Sequence, residues 1–337
     1  MIVRELLREG EALEGERIGI EIEVERVRNT EWVRDTPYWS VTGDGSLRQN
    51  GAEFITLPLR PLDLQTAVKE YYDAAKFNGY AASVRTSTHV HLNMQHKTLE
   101  EVAAICALYS VVEPVLFSLL SGDRDECTYC IPWYRASDQA SSFGTLCGYS
   151  SVERIRDTLA EYMCKYTALN LMPLRTFGTI EFRAASTFDK QGDLLRWVSL
   201  LRRITDLGTN YGTAEGVVNK ADENLGELLE EVFLFSDDAD TEEAIDLVYY
   251  HDSITVANSL VHTRRQERFD RGTPYYASAS AGIGPLSFAT TTTTPQPIAP
   301  PTHDELEGLR EAISNINEGA TTYRILSLDE DSLVDDF

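Results

Sequence analysis

Residues 17–25 read RIGIEIEVE, a stretch along which aliphatic and acidic side chains alternate. Successive side chains of a β-strand point to opposite faces of the sheet. The four aliphatic residues therefore face one way, whereas Glu21 and Glu23 face the other way. The pattern predicts a half-buried strand that carries a pair of carboxylates on its polar face.

Two further stretches repeat this arrangement with other polar residues. In TSTHVHLNM, residues 86–94, His89 and His91 share one face of a predicted strand and apolar side chains occupy the other. In TIEFRA, Glu181 and Arg183 alternate with apolar residues in the same way. Each pair must project from a single face of its strand, because the side-chain period of a strand is two.

A fourth strand, predicted over residues 51–57, carries Glu53 and follows a turn that contains Asp44 and Ser46. If the four strands are neighbours, carboxylates and imidazoles meet on one surface, where unpaired negative charges repel one another strongly. A divalent cation would remove this repulsion, and such ligands suit Mg²⁺ or Mn²⁺ better than Zn²⁺. Arg183 beside the cation would neutralise the charge of a transferring phosphoryl group.

Each pattern also has a simpler explanation when it is taken alone. A Glu-x-Glu pair is usually a solvated strand face, a His-x-His pair is more often packing or surface, and Glu-x-Arg can be a cross-strand ion pair. Their occurrence together favours a site. No P-loop or dinucleotide-binding motif is present, so ATP would need metal ions and separate basic residues. The candidates are Arg48, Arg85, Lys165, Arg175 and Arg183.

The composition excludes several classes of function. The 337 residues include 30 Lys and Arg against 54 Asp and Glu, a net charge of −24 that disfavours a broad nucleic-acid-binding face. We find no run of about 18 apolar residues, the length needed to cross a membrane. The charged N-terminal sequence also lacks the apolar region of a signal peptide. We therefore expect a cytoplasmic protein without membrane association.

The cysteines do not predict a disulfide framework or a zinc site. The chain has five Cys, an odd number, and only Cys127 and Cys130 form a CxxC pair. A structural zinc site needs two more ligands at suitable spacing, and none follows. Free, partly buried thiols are the simpler explanation, and redox chemistry is the alternative.

Three regions follow from the composition along the chain. We predict a catalytic α+β domain over residues 1–270, a low-complexity linker over 271–303, and a short helix with an acidic tail over 304–337. The tail could bind a protein partner or remain unstructured. Within the first region, residues 121–149 are rich in Gly, Ser and Asp, which predicts a long loop that closes over the site.

Taken in order, the motifs GIEIEVE, DGSL…GAEFITLPL, THVHLNM and KYTALNL…FGTIEFR resemble those of the amidoligases. This family belongs to the carboxylate–amine ligase superfamily, which includes glutamine synthetase and glutamate–cysteine ligase. The resemblance covers residues 17–205. It implies a curved, mostly antiparallel sheet of the glutamine-synthetase type, with ATP and Mg²⁺ on the concave face and helices on the convex face.

The resemblance also implies roles for individual residues. The metal ligands would be Glu21, Glu23, Glu53, His91 and Glu181. His89 and His91 would contact the nucleotide phosphates or the metal. Arg85, Lys165 and Arg175 are candidates for the nucleotide as separate basic residues, independently of the resemblance. Arg183, Glu181 and Glu53 would act in catalysis. Tyr166 and Asn170 would contact the substrate.

The implied reaction joins a carboxylate to an amine through an acyl phosphate made from ATP. The substrates would be small molecules or peptides, and a modified nucleobase or a protein side chain is also open. One alternative is phosphoryl transfer to a guanidino-type nitrogen on the same fold. A second is a scaffold without catalysis that recruits a partner through its tail.

Overall fold

A six-stranded antiparallel sheet forms the centre of the structure, a computed structural model that describes residues 1–7, 12–120, 124–148, 151–235 and 238–270. Its strands are β1 (Ile18–Val24), β2 (Trp39–Thr42), β3 (Ala52–Thr56), β4 (Ser87–Asn93), β5 (Leu169–Asn170) and β6 (Thr179–Ser186). They lie in the order β2-β3-β1-β4-β6-β5. The four strands predicted from the sequence motifs are therefore adjacent, as β3-β1-β4-β6.

The described residues also form eight α-helices, which confirms the predicted α+β class. They are α1 (Pro61–Asn78), α2 (Leu99–Leu119), α3 (Ser137–Cys147), α4 (Val152–Glu161), α5 (Gln191–Tyr211), α6 (Ala214–Phe233), α7 (Asp238–Tyr250) and α8 (Ser253–Asp270). Short 3₁₀ turns connect several of them. The predicted linker over 271–303 and the tail over 304–337 lie outside the described residues.

The apolar face of the sheet is covered by helices. Ile20 of β1 is fully buried in a core that includes residues of α1, α2 and α5. The ring of Tyr71 in α1 contacts that of Phe54 in β3, with centroids 5.5 Å apart. On the neighbouring strands, the ring of Tyr109 in α2 lies 5.7 Å from that of Phe182 in β6. The alternation that predicted the strands therefore separates a packed face from a polar face.

Helix α2 corrects the expectation that no stretch is apolar enough to cross a membrane. Its length and its mean hydropathy of 2.0 satisfy that requirement, and it is the one such helix in the described part of the chain. However, 83% of its most apolar window is buried inside the structure. A buried core helix of a soluble protein has this character, because it is surrounded by other apolar elements.

The segment 121–149 is not the single long loop that its composition suggested. Its described residues form two 3₁₀ turns, Arg124–Glu126 and Trp133–Arg135, followed by α3. Trp133 is fully buried, and its indole Nε1–H donates to the carbonyl oxygen of Leu169, 2.8 Å away. Its backbone N–H donates to the buried carboxylate of Glu113, 2.7 Å away. These contacts fix the segment against α2 and β5 and argue against a freely moving lid.

Gly208 marks the closest approach of α5 to α2. A Cβ atom at this position would lie 2.7 Å from the Cα of Ile105, so two helix backbones would have to separate. We expect Gly208→Ala to destabilise the protein by about 1–3 kcal/mol through overpacking, although Ala favours helix by about 1 kcal/mol. Gly192→Ala, in the first turn of α5 with only Arg196 side-chain atoms nearby, is the control. Urea denaturation measures both, and equal stabilities would contradict the prediction.

Candidate functional site

Antiparallel pairing arranges the polar face of the sheet in three cross-strand rows. The first row contains Gly19, His91, Glu181 and Asn170. The second contains Ile55, Glu21 and His89, with Arg183 beside His89. The third contains Thr42, Glu53 and Glu23. The carboxylates and imidazoles of these rows, which we call the acidic cluster, are Glu21, Glu23, Glu53, His89, His91 and Glu181.

Glu181 lies at the centre of a network of buried polar contacts. Only 5% of the residue is exposed, yet its Oε2 accepts a hydrogen bond from Asn170 Nδ2 at 2.6 Å. Its Oε1 pairs with the guanidinium of Arg183 and lies 3.3 Å from His89 Nδ1. Burial alone would raise the pKa of Glu181, but the charges of His89, His91 and Arg183 hold it below its usual value. The carboxylate is therefore ionised and fixed in orientation.

Glu21 lies between the two histidines. Its Oε2 is 3.2 Å from His89 Nδ1, and its Oε1 is 3.2 Å from His91 Nε2. Burial opposes ionisation, but the two imidazoles outweigh it and hold the pKa of Glu21 far below its usual range. Burial would lower the pKa of His91, whereas contact with Glu21 and the charge of Glu181 raise it.

The His91 ring has one satisfied nitrogen and one without a hydrogen bond. Its Nδ1 lies 3.0 Å from the hydroxyl of Thr179. Its buried Nε2 is close to Glu21 but makes no well-directed hydrogen bond. A buried nitrogen of this kind, facing carboxylate oxygens, is available to a metal ion, since one ring nitrogen of a ligating His is usually held by a hydrogen bond.

Glu53 has the opposite electrostatic environment from Glu21. Burial and the negative charges of Glu21, Glu23 and Asp44 raise the pKa of Glu53 to about 8. Nearby, the hydroxyl of Ser87 donates a hydrogen bond to Oε2 of Glu23. In the absence of a cation, Glu53 is therefore mostly protonated at neutral pH, because its neighbours already carry negative charge.

Three sets of ligand atoms could each hold a metal ion. The atoms of each set lie within 4.8 Å of one another. The sets are Glu21, Glu53 and His89; Glu21, His91 and Glu181; and Glu23, Asp44 and Glu53. Because Glu21 and Glu53 each belong to two sets, the sets are contiguous. Oxygen ligands with one imidazole suit Mg²⁺ or Mn²⁺, so the donor set fits these ions.

A β-bulge places Arg183 beside the acidic cluster. The register between β4 and β6 shifts between Thr88 and Val90, so that Arg183 and Ala184 both lie opposite His89. The guanidinium Nη1 of Arg183 contacts Glu181 and lies 3.3 Å from His89 Nδ1. Its Nε is buried without a hydrogen-bond partner. A bulge often redirects a side chain next to an active site.

Three residues of the site were not assigned a role from the sequence. The side chain of Ser87 contacts both Glu23 and His89, and that of Thr179 contacts His91. The sequence pattern could have identified Ser87 and Thr179, since each lies two residues from a predicted site residue on the same polar strand face. Arg124 is buried and donates through Nη2 to the carbonyl oxygen of Arg183, 3.0 Å away. No local pattern indicates that contact, because it joins residues far apart in the chain.

The structure does not bring every candidate basic residue to the acidic cluster. Arg48 and Arg85 are exposed on loops, and the described contacts join neither of them to it. Arg175 is half-buried in a 3₁₀ turn and has an Nε without a partner. Lys165 is exposed, but its charge contributes to lowering the pKa of Asp44, which places it at the margin of the cluster.

Tyr166 and Asn170, the two candidate substrate contacts, differ in position. Asn170 is buried, and its side chain holds the Glu181 carboxylate and accepts from the backbone N–H of Met172 at 3.0 Å. Tyr166 is half-buried, with its ring edge-on to that of Tyr129 and below the amino group of Lys165. Asn170 therefore orients a carboxylate of the acidic cluster, whereas the described ring contacts of Tyr166 are with Tyr129 and Lys165, outside that cluster.

Neither cysteine of the CxxC pair forms a disulfide. Cys130 is fully buried, and burial raises the pKa of its thiol to about 12. Cys127 is half-buried. A thiol that stays protonated is a poor nucleophile and a poor metal ligand, so Cys130 is suited to packing.

Comparisons with known proteins add little to this geometry. No model of a protein family matches the chain, and no curated protein matches it. A search of solved structures finds a bifunctional glutathione synthetase from Pasteurella multocida, with 12% identity and a TM-score of 0.35, covering 76% of this chain and 53% of that one. The chain thus spans about half the length of that protein. Neither fold nor activity follows from so low a score, and membership of the amidoligases stays a prediction from the sequence motifs.

Proposed function

We propose that the protein is an ATP- and Mg²⁺-dependent carboxylate–amine ligase of the amidoligase type, with a curved, glutamine-synthetase-like sheet. One observation carries the proposal: four carboxylates, two imidazoles and a guanidinium are neighbours on one polar sheet face. Metal-binding carboxylates with a guanidinium beside them suit phosphoryl transfer from ATP, because the negative charge of the phosphates must be neutralised where it develops.

The metal ions would be held by Glu21, Glu23, Glu53, His91 and Glu181, whose ligand atoms already form contiguous sets. When bound, Mg²⁺ neutralises the charge of the ATP phosphates and orients them for transfer. Asn170 and Arg183 keep the Glu181 carboxylate in one orientation. Thr179 holds Nδ1 of His91, which leaves Nε2 directed at the carboxylates.

The proposed reaction has two steps. A carboxylate oxygen forms a bond to the γ-phosphorus of ATP, and the bond to the ADP oxygen breaks. The amine nitrogen then attacks the acyl carbon, loses a proton, and expels inorganic phosphate to leave an amide. Arg183 would stabilise the charge on the transferring phosphoryl group, since its Nε has no partner within the described residues. The substrates would be small-molecule or peptide carboxylates and amines.

A screen for ATP-dependent products tests this function. We expect ADP release when suitable amino acids and amines are supplied together, with an amide as the product by mass spectrometry. A stable phosphorylated nitrogen compound without an amide would favour the phosphotransferase alternative. The absence of both Mg·ATP binding and ADP release would favour a scaffold.

We expect Asn170→Ala to weaken Mg·ATP binding or activity by about 10–100-fold, the usual effect of removing a group that orients a metal ligand. The variant loses the 2.6 Å hydrogen bond to Glu181 but keeps all five acids and histidines proposed as metal ligands. Isothermal titration calorimetry and ADP release measure the effect.

Asn78→Ala is the matched control for this change. Asn78 ends α1, and its side chain donates to the carbonyl oxygen of Ala74, 2.9 Å away. Asn78→Ala should leave both Mg·ATP binding and ADP release unchanged. Wild-type behaviour of Asn170→Ala would show that Glu181 does not depend on this contact.

A further inference from the structure

A cavity of about 450 Å³ adjoins the acidic cluster at the end of its first row. Glu21 and His91 contribute to its lining, so the cavity and the cluster share a boundary. Its other walls are largely apolar: Leu7, Leu13, Ile55, Pro58 and Phe177. The size lies within the range of small-molecule sites, which are about 300–1,000 Å³.

Gly19 keeps the floor of this cavity open. It is the second residue of β1, lies on the same face as Glu21, and is paired with His91. A Cβ atom at Gly19 would lie 3.2 Å from Cβ of His91, inside the usual contact distance. A glycine inside a strand weakens the strand, and it often marks a place where a ligand approaches the backbone. Here it exposes the backbone next to two proposed metal ligands.

The polar groups that line the cavity are mostly engaged with the protein. The amide of Gln95 accepts from the N–H of Leu13 at 3.0 Å and donates to the carbonyl of Phe177 at 3.1 Å. The hydroxyl of Thr179 contacts His91, and that of Thr56 accepts from the N–H of Ile20 at 2.9 Å.

Apart from Glu21 and His91, Arg17 is the charged residue among those that line the cavity. It is half-buried, and its guanidinium donates to the backbone carbonyl of Glu16 at 2.8 Å. The amide and hydroxyl groups of the cavity walls already make hydrogen bonds within the protein, so few donors or acceptors are left for the polar edge of a nucleobase. Apolar walls with satisfied polar groups suit a hydrocarbon group instead.

We propose that this cavity receives the hydrocarbon side chain of the carboxylate substrate. The carboxyl end of that substrate would reach the acidic cluster beside Glu21 and His91, where the proposed reaction takes place. The inference rests on the proposed function in one respect, which is that the carboxyl group of the substrate is the group that reacts. It names the substrate class as a carboxylate with an aliphatic or aromatic side chain.

A series of straight-chain carboxylates from acetate to octanoate tests the inference by binding alone. Calorimetry in magnesium-containing buffer without ATP should show affinity rising roughly fourfold for each methylene added, until the cavity is full. Affinity that does not depend on chain length, or no binding by any member of the series, would overturn the inference. Displacement of hexanoate by adenosine would also overturn it, because the cavity would then hold the nucleobase.

Two phenylalanines form a matched pair of variants. Phe177 is 63% exposed and lines the cavity, whereas Phe77 is 88% exposed and is not among the lining residues. Phe177→Ser should reduce the gain in carboxylate affinity for each added methylene, and Phe77→Ser should leave that gain unchanged. Leu13→Ser, at a second wall position, repeats the test if Phe177→Ser does not fold. A wild-type dependence on chain length in both wall variants would contradict the assignment.

ADP release measured on the same series separates this inference from the proposed function. Chain-length-dependent binding without ADP release for any amine would support the cavity and reject the ligase. ADP release with equal KM for all the carboxylates would support the ligase and reject the cavity.

Discussion

Replacing Glu181 with Gln is expected to reduce ATP-dependent ADP release by about 10³-fold or more, as removal of a key electrostatic group in an active site does. Glu181 is the most connected acid of the cluster, with Asn170, Arg183 and His89 all within contact distance. A neutral amide still fills the space, but it removes the negative charge that balances Arg183 and a metal ion. Single-turnover ADP release and Mg·ATP calorimetry measure the loss.

Glu113→Gln is the matched control, because Glu113 is an equally buried glutamate elsewhere. It is 1% exposed in α2 and accepts the N–H of Trp133 at 2.7 Å. Burial raises the pKa of Glu113 to about 8, so its side chain is largely neutral at pH 7 and Gln resembles it. We expect near wild-type ADP release from this control. If Glu181→Gln also retained wild-type activity, the acidic cluster would not be the catalytic site.

Replacing Glu53 with Gln is expected to have opposite effects on stability with and without a cation. The pKa of Glu53 in the folded protein, about 8, lies above the 4.5 of a free glutamate side chain. Its contribution to stability is therefore complete below pH 4.5 and is lost as the pH rises through 8. Glu53→Gln removes this loss, so the metal-free variant should retain more of its stability than wild type between pH 6 and pH 9.

With magnesium bound, wild type should be more stable than Glu53→Gln, the reverse of the order expected without a cation. Binding requires the Glu53 carboxylate, so it releases a proton below pH 8 and stabilises wild type more at pH 9 than at pH 6. The variant lacks this ligand and should respond less. Thermal denaturation with EDTA or with Mg²⁺ at both pH values measures these differences. Glu31→Gln, at an exposed acid, controls for lost charge alone. Identical pH and Mg²⁺ responses in wild type and Glu53→Gln would exclude Glu53 as a ligand.

Much of the polar face could be predicted from the sequence because a strand alternates with period two. RIGIEIEVE and TSTHVHLNM have one plausible division into a buried and a polar face, so Glu21 and His89 could be assigned to polar faces directly. Composition, in contrast, led to a wrong prediction for residues 121–149, where Trp133 is buried and α3 forms although the residue types are typical of loops. Arg85 and Arg175 show the limit of this prediction for basic residues, since a positive charge in the sequence does not indicate where in the fold its side chain will lie.

Which side chains share a face follows from the order of residues along one strand, so the sequence was sufficient to predict it. Which strands pair, and in what register, depends on contacts between distant parts of the chain, so it became known from the folded structure. This placed Glu21 opposite His89, His91 opposite Glu181, and Glu23 opposite Glu53. It also decided the bulge that directs Arg183 and the cavity above Gly19. Contacts of this kind join residues distant in the chain, and their geometry depends on how the packed helices and strands fit together.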